Sequence, residues 1–116
     1  MNLEAIEVAR KAIEAASNKK AENIVLLDTR KICSFADYFV ICTADSDRLV
    51  EAIIDDLSDE LRDLGVTGRR KEGTPESGWV LLDIGAVIIH VFSPEQREYY
   101  RLDELWSEAI PVIRIQ

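Results

Sequence analysis

The chain of 116 residues is 47% hydrophobic, which fits one compact domain with a buried core. Its 14 Lys and Arg against 22 Asp and Glu give a formal net charge of -8, which disfavours broad binding to nucleic acid or an anionic membrane and favours a basic protein partner. The single histidine and the spacing of Cys33 and Cys42 cannot complete a zinc site, so we expect no metal, no cofactor and reduced thiols.

The first half of the chain predicts two helices and two strands. Residues at the N-terminus place apolar side chains on one side of a helix and charged ones on the other, without signal-peptide or membrane-spanning character, so we expect a cytoplasmic protein. Residues 23–29 and 37–43 are short β-rich runs that predict buried strands. Ser46 then predicts the N-cap of a second amphipathic helix, which Gly65 ends.

The second half predicts a hairpin followed by a third helix. Residues 66–73 predict an edge strand or a loop, residues 78–92 predict two strands, and Ser93 with Pro94 and Gln96 predicts a capped helix start. The resulting order, α-β-β-α-β-β-β-α, indicates a single α/β domain in which helices pack on a mixed sheet of about five strands. The apolar tail, residues 110–116, predicts either a further edge strand or a contact between two copies of the chain.

The hairpin at residues 78–92 is compatible with two registers. A two-residue loop, Ile84-Gly85, pairs Trp79 with His90 and gives one wholly aliphatic face. The opposite face then collects Trp79, Leu81, Asp83, Ile88 and His90. A three-residue loop, Asp83-Ile84-Gly85, pairs Trp79 with Ile89 and avoids an isoleucine at positive φ.

Asp83 is the least expected residue of this hairpin. Aspartate is depleted in strands and costly to bury without a partner. We therefore expect Asp83 either to accept a hydrogen bond from its own turn or to face a cation of another molecule.

A longer motif is superimposed on this pattern. The succession is Trp, Asp-x-Gly, Val-x-x-His-x-Phe, then Arg-x-x-Tyr-x-Leu-acid-x-Leu-Trp. It is carried by Trp79, Asp83, Gly85, Val87, His90, Phe92, Arg97, Tyr100, Leu102, Asp103, Leu105 and Trp106. This motif resembles the signature of the ribosomal silencing factor family, also called the RsfS, YbeB or Iojap family. Residues 19–28 and 36–48 are similar to upstream blocks of that family, so the resemblance runs from about Lys19 to Trp106. It departs from the family pattern at Ala44, Leu49 and Ala86.

The resemblance implies a non-enzymatic repressor of translation with a nucleotidyltransferase-like core. Such a factor binds the large ribosomal subunit through ribosomal protein L-fourteen (uL-fourteen) and blocks joining of the small subunit. We expect the partner-binding residues to be Trp79, Leu81, Asp83, His90, Arg97 and Tyr100. Leu102 and Trp106 are expected mainly to fasten the C-terminal segment to the sheet.

Two other functions must be weighed against this one. A Mg²⁺-dependent nucleotidyltransferase would need carboxylates on adjacent strands, whereas Asp45 and Asp47 lie at a predicted helix start, where capping explains them. A scaffold acting as a homodimer would use the apolar tail. The basic residues Arg69, Arg70 and Lys71 predict an exposed segment with at most incidental contact to ribosomal RNA.

Overall fold

The computed structural model describes residues 4–32, 34–66, 70–101 and 110–115, and Cys33, Arg69, Leu102 and Trp106 lie outside these ranges. The described residues form three α-helices and six strands, with a short 3₁₀ turn at Pro75–Ser77 between two of the strands. In chain order they are α1 (Ala5–Asn18), β1 (Glu22–Asp28), β2 (Tyr38–Thr43), α2 (Asp47–Asp63), β3 (Arg70–Thr74), β4 (Trp79–Asp83), β5 (Val87–Phe92), α3 (Pro94–Tyr100) and β6 (Ile110–Ile115).

The six strands form one mixed sheet in the order β3-β4-β5-β2-β1-β6. Strands β2 and β5 pair in parallel, and every other neighbouring pair is antiparallel. The predicted α/β fold with helices on a mixed sheet is therefore confirmed. The C-terminal tail adds the sixth strand, β6, at the edge beside β1, and residues 70–74 form the edge strand at the other side.

One face of the sheet packs against α1 and α2. Both helices are amphipathic, and α2 buries Val50, Ile53, Ile54, Leu57 and Leu61 in the same core as Val80, Leu82 and Ile89 of the hairpin. Ser46 caps α2 as predicted, since its hydroxyl accepts a hydrogen bond from the Leu49 N–H at 3.1 Å. None of the described helices has the length and hydropathy that a transmembrane span requires. This helix-covered face, which we call the helix face, contains the larger core.

The opposite face of the sheet contains a second, smaller core. Its buried members are Val25, Leu27, Ala36, Phe39, Ile41, Ile88 and Phe92, and Trp79 and Leu81 pack at its margin. Along β4 the side chains alternate between half-buried and fully buried, which shows that this strand serves both faces.

Both registers predicted for the hairpin are wrong. Trp79 pairs with Phe92, Leu81 with His90 and Asp83 with Ile88. The turn is Gly85-Ala86, closed by a hydrogen bond from the Ile84 N–H to the Val87 carbonyl at 3.0 Å. Gly85 has φ +84°, so a glycine takes the first turn position, as in type II′ hairpins. Because the observed pairing differs from the first predicted register by two residues, that register assigned the faces correctly.

Gly73 fixes the approach of the edge strand β3 to Trp79. It has φ +87°, and a Cβ at this position would lie 2.2 Å from the Trp79 carbonyl oxygen. Gly65 has a similar φ of +79°, but a Cβ there would meet nothing within 4 Å. A side chain at Gly65 would therefore meet only backbone strain, whereas one at Gly73 would meet both backbone strain and a steric clash.

We expect Gly73→Ala to lower the free energy of unfolding by about 3 kcal/mol or more, because it adds a backbone clash to an unfavourable φ. Gly65→Ala should cost only about 1–2 kcal/mol, since it carries the φ term alone. Urea denaturation of both variants tests this expectation. Equal losses of stability would show that the approach of β3 to Trp79 is not constrained at Gly73.

Candidate functional site

The candidate site is the part of the second sheet face around β4. Trp79, Leu81 and Asp83 point to this face, and their cross-strand partners on β3 are Thr74, Glu72 and Arg70. We use the name Trp79 face for the surface formed by Arg70, Glu72, Trp79, Leu81, Asp83 and Tyr100. Arg70 and Glu72 are exposed, and Trp79, Leu81 and Asp83 are half-buried. The face thus combines apolar area with charged groups of both signs.

The Trp79 indole contacts two other aromatic rings, which also contact each other. Its centroid is 4.9 Å from that of Phe92, on which it stacks, and 4.6 Å from that of Tyr100. Phe92 is fully buried, whereas Tyr100 at the end of α3 keeps 43% of its surface exposed. The three rings therefore lead from the core to the surface, and an aromatic pair of this kind adds about 1 kcal/mol to the burial of its area.

His90 is buried directly beneath this aromatic group. Only 5% of its surface is exposed, and its Nδ1 accepts a hydrogen bond from the Trp79 indole N–H at 3.2 Å. Its other ring nitrogen, Nε2, is buried without a hydrogen-bond partner among the described residues. Burial lowers the pKa of His90 to about 4, so the ring is neutral near pH 7. So little of His90 is exposed that it offers little contact area to another molecule, and its predicted contact with a partner stays a prediction.

Asp83 takes the first of the two roles that the sequence left open, that of a turn residue, and it also faces a cation of its own chain; a contact with a cation of another molecule stays a prediction. Its Oδ1 accepts a hydrogen bond from the Gly85 N–H at 2.9 Å, which makes it a turn residue. Its Oδ2 faces Arg70, whose Nη2 lies 3.5 Å away. Arg70 also lies 3.9 Å from Glu72, so it is shared between two carboxylates. These exposed pairs are weak and can be exchanged for those of a partner.

A groove of about 320 Å³ opens on the Trp79 face. It is lined by Glu72, Gly73, Ser77, Trp79, Leu81 and Tyr100. Its floor is mainly apolar, and one carboxylate, that of Glu72, lies at its edge. The groove is large enough to accept a protruding side chain of another protein, which suits the recognition of a protein surface.

Arg97 lies apart from this group, although it belongs to the same predicted set. Its Nη1 donates hydrogen bonds to the Asn23 carbonyl and to the Thr43 hydroxyl, both at 2.9 Å. These bonds hold α3 against β1 and β2, and Ser93 caps the start of that helix through the Gln96 N–H. The structure therefore gives Arg97 a part in orienting α3, which carries Tyr100. A contact between Arg97 and a partner stays a prediction.

The residues with potential catalytic chemistry do not converge. Asp45 and Asp47 are exposed at the start of α2, and in the described ranges no group of three or more His, Cys, Asp or Glu side chains is placed to hold a metal. Burial raises the pKa of Cys42 to about 12, so this thiol is not a ready nucleophile. Sequence reasoning missed Glu72 and Phe92 as parts of the site. Only the strand register brings them to Trp79.

The buried His90 predicts a pH dependence of stability. Its pKa is about 4 in the folded protein against an ordinary value of 6.5, so between these values only the unfolded chain takes up the proton. Titration of His90 therefore leaves the free energy of unfolding unchanged above pH 6.5 and lowers it by roughly 3 kcal/mol as the pH falls from 6.5 to about 4.

Urea denaturation between pH 7.5 and pH 4 measures this loss, and a His90→Leu variant supplies the control because carboxylates titrate in the same range. The difference in stability between wild type and variant should shift in favour of the variant as the pH falls. A difference that does not change with pH would contradict the burial of a neutral histidine.

Comparison with known proteins gives consistent results for sequence and structure. Residues 2–116 match the family model described as "Ribosomal silencing factor during starvation". Ribosomal silencing factor RsfS of Bacillus subtilis is 42% identical over 84% of this chain and 83% of its own length.

Two solved structures share the fold. A crystal structure of a protein from Chromobacterium violaceum is 36% identical, has a TM-score of 0.86, and covers 90% of this chain and 88% of its own. A crystal structure from Bacillus halodurans is also 36% identical, has a TM-score of 0.80, and covers 93% of this chain and 98% of its own. The predicted resemblance is thereby confirmed: this chain belongs to the ribosomal silencing factor (RsfS) family.

Proposed function

We propose that this protein represses translation by binding the large ribosomal subunit through ribosomal protein L-fourteen and by sterically blocking the small subunit. The observation that carries the proposal is the Trp79 face, which presents an aromatic side chain packed on Phe92 beside the exposed carboxylate of Glu72 and the half-buried one of Asp83, in a chain of the RsfS family. Aromatic side chains with a buried base are typical anchors of protein interfaces.

The charges of this face suit a basic partner. The chain has a net charge of -8, and among the described residues Asp83 and Glu72 on the face share one ion-pair partner, Arg70. Ribosomal proteins are commonly basic, so their Lys and Arg side chains can pair with these carboxylates while the Trp79 ring supplies apolar area. Phosphate groups of ribosomal RNA would be repelled by most of this surface, which favours a protein contact.

Inhibition by this protein needs occupied space and no chemical turnover. The domain measures 37 × 32 × 23 Å, so a copy held at the edge of a subunit interface fills volume that a second subunit must enter. The acidic residues at the start of α2 are explained by the helix dipole and need no substrate. We accordingly propose a non-enzymatic factor that acts in the cytoplasm, where subunits join.

The Trp79 face should lose affinity for isolated L-fourteen when its main groups are removed. We expect Trp79→Ala to raise the Kd by roughly 30-fold, equivalent to about 2 kcal/mol, because the anchor is lost. Asp83→Asn keeps the oxygen that accepts from Gly85 but removes the charge, and it should raise the Kd by roughly fivefold. Calorimetry measures both values.

Glu51→Gln, an exposed change on α2 at the other side of the sheet, is the matched charge control and should leave binding unchanged. Circular dichroism must show that each variant is folded. Wild-type affinity in both folded Trp79 and Asp83 variants would remove the Trp79 face from the interface.

The blocking mechanism predicts competition between the factor and the small subunit for the large subunit. Sedimentation of mixed subunits should show free subunits when wild-type factor is present, and an excess of small subunits should displace the factor. A folded variant with Asp45→Ala and Asp47→Ala should block as wild type does, whereas Trp79→Ala should fail.

The opposite pattern would support catalysis. If the paired aspartate variant still binds large subunits but no longer blocks joining, or if blocking requires added nucleotide, the steric mechanism is wrong.

A further inference from the structure

We infer that His90 is a positioning residue of the partner-binding face, which fixes the orientation of the Trp79 indole from within the core. The inference rests on the proposed function, because it assumes that Trp79 contacts the partner. It changes the role of His90 from a residue that contacts the partner to one that acts through another side chain.

The hydrogen bond between Trp79 and His90 joins two side chains on the same face of the sheet. Trp79 pairs across the strands with Phe92 and His90 pairs with Leu81, so the two rings are diagonal neighbours on the same face. The indole N–H, which is the single polar group of the Trp79 side chain, donates to His90 Nδ1 at 3.2 Å. The ring contacts with Phe92 and Tyr100 depend less on the direction of the indole N–H than this hydrogen bond does. The hydrogen bond is directional and selects one orientation.

The hydrogen bond from Trp79 determines which nitrogen of His90 carries the proton. An Nδ1 that accepts from Trp79 carries no proton, so the proton of a neutral ring lies on Nε2. That N–H is buried and has no hydrogen-bond partner among the described residues. The fold therefore tolerates a buried donor without an acceptor, which costs stability. Phe39, whose ring centroid lies 5.2 Å away, packs against the imidazole as it would against an apolar side chain.

His90 occupies a position in β5 that an apolar residue could also fill. All its neighbours in β5 are apolar, and leucine or isoleucine would fill the same position without a buried imidazole N–H. The Trp79 indole N–H would then lose its acceptor, but this side chain is only half-buried and water can replace the bond. Stability alone therefore does not account for a histidine here. The acceptor that it offers to Trp79 does account for it, since polar groups that lower stability are common where a binding side chain must be oriented.

The test separates binding from stability. His90→Leu removes the buried imidazole N–H and leaves the indole N–H of the half-buried Trp79 to water, so we expect a stability near that of wild type at pH 7 but a Kd for L-fourteen that rises roughly three- to tenfold. His90→Asn keeps an acceptor close to the position of Nδ1 and should retain an affinity within about twofold of wild type. A purely structural role would instead make affinity follow stability in both variants.

The indole resonance reports the orientation directly. The Trp79 N–H signal in a ¹H–¹⁵N spectrum, identified by its loss in Trp79→Phe, should shift upfield in His90→Leu as the bond is lost and should stay near its wild-type position in His90→Asn. Wild-type affinity in His90→Leu, or a shifted indole without weaker binding, overturns the inference. If His90→Leu does not fold, weak binding by a folded His90→Asn with an unshifted indole also overturns it.

Trp79→Ala distinguishes a failure of the proposed function of the Trp79 face from a failure of the positioning role of His90. If this variant binds L-fourteen as wild type does, the proposed function of the Trp79 face is wrong. If it binds weakly while His90→Leu binds normally, only the positioning role of His90 is wrong.

Discussion

The pairing of β4 with β5 is the constraint on which both the core and the candidate site depend. Successive residues of a strand point to opposite faces, so β4 must supply Val80 and Leu82 to the helix face while it supplies Trp79 and Leu81 to the other. A shift of one residue would exchange these sets and expose the aliphatic ones. The same pairing places Trp79 on Phe92 and within reach of His90.

The alternation predicted the two faces but could not predict the register. A period of two is unchanged when a strand slides by two residues, so the choice depends on the turn. The turn at Gly85-Ala86 is held by Asp83, and the Ala86 carbonyl also accepts from the N–H groups of Asp37 and Tyr38 at 2.6 and 3.1 Å. These last two donors are the residue just before the parallel strand β2 and the first residue of that strand, both distant in sequence from the turn. A local pattern contains no information about them.

The site was predictable to a similar extent. The motif identified Trp79, Asp83 and Tyr100 as a set, and parity placed Trp79 and Asp83 on one face. The sequence could not tell which of the polar residues remain accessible. His90 became the buried support of Trp79 and Arg97 the link between α3 and the sheet, because these roles depend on contacts between distant segments. Glu72 entered the site through the pairing of β3 with β4.

The division of the sheet into two faces also explains how this domain can carry an exposed aromatic group. The helix face contains the larger core and the amphipathic helices, and that core provides hydrophobic stabilisation at a distance from the site. The opposite face can therefore hold features that lower stability, among them a half-exposed tyrosine and an imidazole N–H that has no hydrogen-bond partner in the described part of the chain. Changes on the Trp79 face then act on recognition more than on folding, whereas changes to the pairing of β4 act on both.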